Sequence, residues 1–451
     1  MTSYSPQLQY TLSRLSGFTT NTFKLQPNGS DSATAGQTIR ISLPQNSLVN
    51  MRSFAFNFKA AIIGGGASGN ATRLPPGIGL GSLIERVEIT VGGLQIAAGS
   101  NFYNVLAMAK KAVYGDAYSC DTVLGHAEVV RDRCLHRTDV SGIDTNGKEE
   151  AQKYCVNDWQ GFIGSCSPKI LDLGLMADMV VHITLANNNV CIDASGSTFA
   201  KFIANPATAA PKYQLTDIYA TVECIGISDG TYEAMVNEMM SRPGAEYVEI
   251  PFKNYLGFQD HTQSNMKFSV ASQSISRIWI VHRDPSFAEA AGAVSITGYQ
   301  KTDTSGTSGI FNNILDYNKE KYTSKWFNFA SPAANHTTET SHWLTINGSQ
   351  IPQWQASQED MLQITKNSVF PKPKTNVGLA TMKDNYSVYC VRLNMEGSEQ
   401  MNVLSGIDSR GITANMFYNM TGLSGAKHIN VFVECDSTLR LGRGLQAEVL
   451  A

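Results

Sequence analysis

Two short stretches of the chain are near copies of one another, and each reads as a β-hairpin. The first, LIERVEITVGGLQI, runs from Leu83 to Ile96. Val87, Ile89 and Val91 fall on one side of it and Arg86, Glu88 and Thr90 on the other, the period of two that belongs to a strand buried on one face. Gly92-Gly93 permits the positive φ angles of a tight turn, and Leu94 and Ile96 open the returning strand. The second, LTINGSQI from Leu344 to Ile351, matches ITVGGLQI from Ile89 to Ile96 at Thr, Gly, Gln and Ile, with Asn347-Gly348 at the turn. A chain that repeats a hairpin so far along its length holds two similar β units, or it reuses a turn word common among β-proteins.

Two further pairs bear on that choice. SGIDTNG (Ser141 to Gly147) resembles SGIDSRG (Ser405 to Gly411), and TVEC (Thr221 to Cys224) resembles FVEC (Phe432 to Cys435). Their order is the same in both halves while the spacings differ, which fits a duplication whose loops changed length, because loops tolerate insertion better than strands. At 451 residues the chain exceeds one ordinary core and suits two units of about 200 residues. The expected division is an N-terminal arm over residues 1–36, a first unit over 37–230, a linker helix over 231–244, a second unit over 245–440 and a C-terminal tail over 441–451.

Local patterns fill in the units. Ile39, Ile41 and Leu43 alternate, and Phe54, Phe56 and Phe58 put three aromatic rings on one face. Phe102, Val105, Leu106, Ala109 and Val113 follow the helical period, as do Tyr232, Met235, Val236, Met239 and Met240 before Arg242-Pro243-Gly244. Strands are expected at Val181–Leu185, Ala220–Cys224, Ile278–Ile280, Tyr386–Leu393 and Ile429–Cys435, with a helix opening at Ser357. Leu8, Leu12 and Leu15 form a short amphipathic stripe, read either as an interaction arm or as a frayed terminus. Residues 64–72, 192–212 and 284–341 read as long polar connections, the places where recognition is usually carried.

Composition excludes several functions. A net charge of -3 without a basic arm does not advertise binding to a phosphate backbone, so contact with nucleic acid is expected to be indirect and not sequence-specific. Eight cysteines without a CxxC pair are too sparse for a disulfide scaffold, and free thiols are expected. With no signal-peptide pattern and no run of 18 apolar residues, the chain is expected to be made and assembled in a reducing compartment.

Catalytic signatures fail one by one. Gly142 to Lys148 spells GxxxxGK, but Glu149 stands where a hydroxyl must meet magnesium. His126 and Glu128 give half of a zinc deaminase motif without its Pro-Cys-x-x-Cys partner. Gly66-Ala67-Ser68-Gly69 falls short of a nucleophile elbow. His136, His182, His261, His282, His336, His342 and His428 are scattered singly. No catalytic, cofactor-binding or metal-ligating residue is assigned, and neither an enzyme nor a cofactor is expected.

The strand and hairpin stretches resemble the double jelly-roll major capsid proteins of tailless icosahedral DNA viruses, of the Polinton-like virus and virophage type. LIERVEITVGGLQI followed by NFYNVLAMAKK (Asn101 to Lys111) resembles that family's apolar strand, glycine hairpin and aromatic-led helix. GFIGSCSPKILDLGLMADMVVHITL (Gly161 to Leu185), SISRIWIVHRD (Ser274 to Asp284) and WLTINGSQIPQW (Trp343 to Trp354) resemble further strands of its two rolls. The likeness covers most of residues 37–440 and consists of hydrophobic patterns, with no invariant catalytic signature. It implies an all-β fold, two tandem eight-stranded jelly-roll β-sandwiches with a few short helices.

The function it implies is a major capsid protein in pseudo-hexameric homotrimers. The chain would lie in the virion shell after assembly in the host cell. Penton and minor capsid proteins, and an internal membrane, are the further partners implied. The alternative is a carbohydrate- or receptor-binding β-sandwich spike or adhesin, in which some of the five tryptophans, Trp343 and Trp354 among them, stack on sugar instead of filling a core. In the capsid reading residues 1–30 face the interior, and 284–341 is the candidate for wrapping a neighbouring chain.

Overall fold

The computed structural model describes residues 18–64, 72–73, 79–97, 101–114, 134–135, 152–193, 212–227, 238, 247–283, 285, 287, 293–295, 322–327, 329, 340–369, 387–395, 405–410, 415–423, 425–442 and 446–450. The first roll is built from β1 (Phe18–Leu25), β2 (Thr38–Ser42), β3 (Leu48–Gly64), β4 (Ile84–Val91), β5 (Leu94–Ala97), α1 (Tyr103–Tyr114), β6 (Gln152–Val156), β7 (Ile170–Asp172), β8 (Met179–Leu185) and β9 (Lys212–Ile227). The second is built from β10 (Tyr247–Thr262), β11 (Asn265–Phe268), β12 (Ile275–Arg283), β13 (Ser341–Ile346), β14 (Ser349–Ser357), α2 (Gln358–Ser368), β15 (Val388–Arg392), β16 (Met416–Thr421), β17 (Lys427–Gly442) and β18 (Gln446–Leu450).

In the first roll one sheet runs β1-β9-β3, with β6 and β7 both paired to β3, and the other runs β2-β8-β4-β5. In the second the orders are β10-β17-β12-β15, with β18 added to β17, and β11-β16-β13-β14. The two rolls therefore have the same strand order in both sheets and a helix at the same place in the chain. Each is a jelly roll of two antiparallel sheets.

Sequence alternation explains most of this packing. In β8, Met179, Val181, Ile183 and Leu185 point inward and are buried while the residues between them are half-buried. Phe54, Phe56 and Phe58 are all buried in the first core. Both predicted turns are closed by positive φ values, 55 and 84 degrees at Gly92 and Gly93 and 50 and 83 degrees at Asn347 and Gly348. The predicted helix at Ser357 forms with a capping box, in which Ser357 and Asp360 each bond the other's backbone N–H.

Other expectations are corrected. Residues 18–25, assigned to an arm, form β1 and pair with β9 from Ile227 to Ala220. This edge strand is exposed on both faces from Thr19 to Lys24, so its sequence shows no alternation to read. Residues 446–450, assigned to a tail, pair with β17 from Thr438 to Gly442. Of the three repeated pairs, the hairpins fall on equivalent strands, and so do TVEC on β9 and FVEC on β17. SGIDTNG lies outside the described residues, before β6, whereas SGIDSRG follows β15, so these two occupy non-equivalent connections and reflect a shared turn vocabulary. The Leu8–Leu15 stripe, the loops 65–71 and 194–211, and the linker helix other than Glu238 also lie outside the described residues.

The rolls have a common polarity. Gly64 pairs with Lys212 and Ile84 with Leu185, so the connections 65–83 and 186–211 leave the same end of the first roll. The tight turns 43–47, 92–93 and 173–178 lie at the other end. In the second roll Arg283 pairs with His428 and Ser341 with Thr421, which sends 284–340 out of the end opposite the Asn347-Gly348 turn. Phe102, where the first roll enters α1, packs on Phe287 and Trp326 of that connection at 6.4 and 5.7 Å, so both long-connection ends share one side.

Candidate functional site

Among the described residues, buried charged groups gather in the seam between the two rolls. All nine residues of β12 are buried, which a strand covered on one face cannot achieve. Its second face lies under the first roll. Lys110 of α1 donates to Gln160 Oε1 at 2.8 Å within its own roll and to Tyr255 Oη at 2.7 Å across the seam, and it stands 4.7 Å over the Tyr255 ring and 5.8 Å over Trp279. Nearby, Phe162 meets Phe252 edge-on at 4.9 Å, Lys253 N–H donates to Ser165 Oγ at 2.8 Å, and Ser167 N–H donates to the Pro251 carbonyl at 3.0 Å.

Beneath Lys110 lies a buried carboxylate. Glu434 accepts from Arg277 Nη1 at 2.9 Å and Trp279 Nε1 at 3.2 Å, with Lys253 Nζ at 3.8 Å. Burial alone would raise its pKa, but the charges of Lys110, Arg277 and Lys253 and the Trp279 bond outweigh that and bring it to about 2. Burial in turn lowers Lys110, with Glu434 opposing. Lys253 also pairs with Asp436, which accepts from Ser274 at 2.8 Å and Ser276 at 3.0 Å. Arg277 Nε donates to the Ser368 carbonyl at 2.9 Å, tying the end of α2 to the same network.

At the long-connection end the seam is aromatic. The Arg283 guanidinium lies 3.8 Å from the Phe287 ring centre, 4.7 Å from Phe102 and 5.4 Å from Trp326, while its Nε donates to Asn430 at 2.8 Å. Its terminal nitrogens have no hydrogen-bond acceptor among the described residues, and burial lowers its pKa to about 9. Phe287 and Trp326, from that connection, thus pack on their own chain's first roll.

Of the singly scattered histidines, the fold sets His261 opposite His428 on neighbouring strands and brings His282 and His342 together in the core. Tyr418 Oη lies 3.0 Å from His282 Nε2 and 2.8 Å from His342 Nδ1, and His342 Nε2 lies 2.9 Å from Thr340 Oγ1, all inside the second core. Burial lowers His282 to about 3 and His342 well below the ordinary value. His182 bonds Thr90 at 3.1 Å, His428 lies against Phe287, and His261 is exposed at the strand end. His126, His136, His336, Glu128 and Gly142–Lys148 lie outside the described residues. Among the described residues no group of three or more His, Cys, Asp or Glu is placed to hold a metal ion. Cys155, Cys166, Cys191, Cys224, Cys390 and Cys435 are free thiols, and burial pushes Cys166 and Cys435 up to about 11. Trp159, Trp279 and Trp326 are core residues, whereas Trp343 is half-buried and Trp354 is exposed on β14.

Strand order, paired rolls and buried seam together define a double jelly-roll protein. The fold is similar to that of PBCV-1 VP54 as fitted into a cryo-EM reconstruction of the virophage Sputnik. That likeness has a TM-score of 0.59 and 13% identity and covers 96% of this chain and 97% of that one. A quasi-atomic model of the PBCV-1 virus capsid matches with the same TM-score, identity and coverage. No family model and no curated protein matches the sequence.

Proposed function

We propose that this chain is a major capsid protein, a structural tile of an icosahedral DNA virus shell whose working unit is a homotrimer. The observation that carries the reading is the pairing of two like rolls across a seam of buried polar and aromatic groups, in a fold similar along nearly its whole length to a virus capsid chain. Three such blocks around a closed threefold axis place six rolls about a centre, so one kind of chain fills the six-neighbour positions of an icosahedral lattice. The tight turns and the long connections lie at opposite ends of the block, and the long ones face outward in this reading. The role is structural and needs no cofactor. Penton and minor capsid proteins, and a membrane beneath the shell, are the further partners.

Light scattering coupled to size exclusion, with reductant and chelator present, is expected to report three times the chain mass, and electron microscopy to show hexagonal capsomers. A stable monomer at micromolar concentration that binds a glycan array would instead favour the spike or adhesin reading, with Trp354 between Gln353 and Gln355 as its stacking platform.

A further inference from the structure

Equivalent faces of the two rolls are treated differently. In the second roll the outer face of β10-β17-β12 lies under the first roll, and Glu434, Phe432, Trp279, Arg277 and Tyr255 are all buried there. In the first roll no described element covers the centre of the matching face, and Tyr219 at its margin lies under Lys24 and Lys153. Thr20, Thr22 and Lys24 of β1 are exposed, and Thr221, Glu223 and Asn50 are half-buried. The two faces correspond residue by residue at their centre. Glu434 pairs in register with Arg277 and Tyr255, and Glu223 with Asn50 and Thr22. Where Arg277 bonds Glu434, Asn50 Nδ2 bonds Glu223 Oε2 at 2.7 Å. Glu434 has cations around it, one of them, Lys110, contributed by the neighbouring roll. Glu223 is paired with no cation among the described residues.

The element that covers the second roll has its own counterpart. From turn to helix the rolls align without a gap, Gly92 on Asn347 and Tyr103 on Gln358, which sets α2 on α1 and Lys366 on Lys111, next to Lys110. In α1 every residue from Tyr103 to Ala109 is buried. In α2 the stripe Glu359, Gln363, Lys366 and Asn367 is exposed.

We propose that the outer face of the first-roll sheet, centred on Glu223, docks the second roll of another copy of this chain, with α2 lying across it as α1 lies across the second roll. Lys366 of the docking copy supplies the cation that Glu223 lacks. Repeated head to tail, the same type of seam occurs alternately within and between chains and closes after three. This rests on the trimer reading and adds which surfaces meet and which side chains pair.

The test uses the full chain. An equal mixture of unlabelled and isotope-labelled protein, dissociated and reassembled, is coupled with a zero-length carbodiimide. A Lys366–Glu223 link joining a labelled to an unlabelled peptide is expected. Lys366→Glu, at an exposed position that leaves the fold intact, is expected to raise the trimer dissociation constant by about tenfold or more, and adding Glu223→Lys to restore it. Glu223→Gln, which keeps the Asn50 bond, is the control for a reversed charge that disturbs the sheet. If the wild type is a trimer but shows no such link and Lys366→Glu leaves it unchanged, the docking surface is overturned while the trimer stands. If the wild type is a monomer, the capsid reading fails and takes this surface with it.

Discussion

Glu434 shows how burial and charge compete at a single residue. It is ionised in the interior because three cations and an indole N–H surround it, and each of those groups depends on it in return. Glu434→Gln leaves that positive charge uncompensated and is expected to cost about 3–5 kcal/mol in urea unfolding, the scale of a broken buried pair. A loss under about 1 kcal/mol would show that water already screens the seam. The buried histidines act through pH. Their folded pKa values lie below the ordinary 6.5, so the unfolded chain takes up protons first as pH falls. Stability is therefore full above about 6.5 and is lost on acidification below it, for His282 by roughly 1.4 kcal/mol per pH unit down to about 3, with His342 acting in the same direction. Thermal melts between pH 7 and 4.5 are expected to show this slope, and His282→Gln to flatten it. An unchanged slope in the variant would remove His282 from the explanation.

At the level of elements, the hairpins and the second helix make ordered predictions. Gly92 and Gly93 both hold positive φ, but a Cβ on Gly92 would stand 2.7 Å from the Ala177 Cβ, while one on Gly93 meets nothing within 4 Å. Gly93→Ala is expected to cost about 1–2 kcal/mol for the left-handed backbone, and Gly92→Ala clearly more. Equal losses would mean the β7–β8 connection yields easily. Ser357→Ala removes one side of the α2 capping box and is expected to cost about 1 kcal/mol by chemical denaturation. These elements were legible because one local rule, a turn pair or a cap with its helical period, decides each of them. β1 and β12 were not fully legible for opposite reasons. β1 is exposed on both faces and β12 is buried on both, so neither shows the alternation that marks a half-buried strand.

For the whole molecule, β1 sets what can be removed. Deleting residues 1–17 leaves every described strand in place, whereas deleting 1–30 strips β1 from β9 and bares the edge of a central strand. The shorter deletion is expected to leave soluble trimers with a wild-type melting temperature, and the longer one to lower melting and promote aggregation, as read by calorimetry and light scattering. Identical behaviour of the two would make β1 dispensable. If residues 1–17 face the shell interior, as the capsid reading has it, the shorter deletion also yields trimers that do not close into shells.

The sequence by itself determined the β class, both hairpins, the helices after them and the presence of two like units, because each is written in contacts between residues close along the chain. Only the tertiary structure decided that β1 and β18 belong to the sheets, that His282 and His342 share one hydroxyl, and that Lys110 lies over Glu434. Those partners lie far apart along the chain or carry no periodic signal. The strands and histidines meet because each roll closes on itself, and Lys110 meets Glu434 because one finished roll lies against the other, and neither packing is encoded by a local pattern.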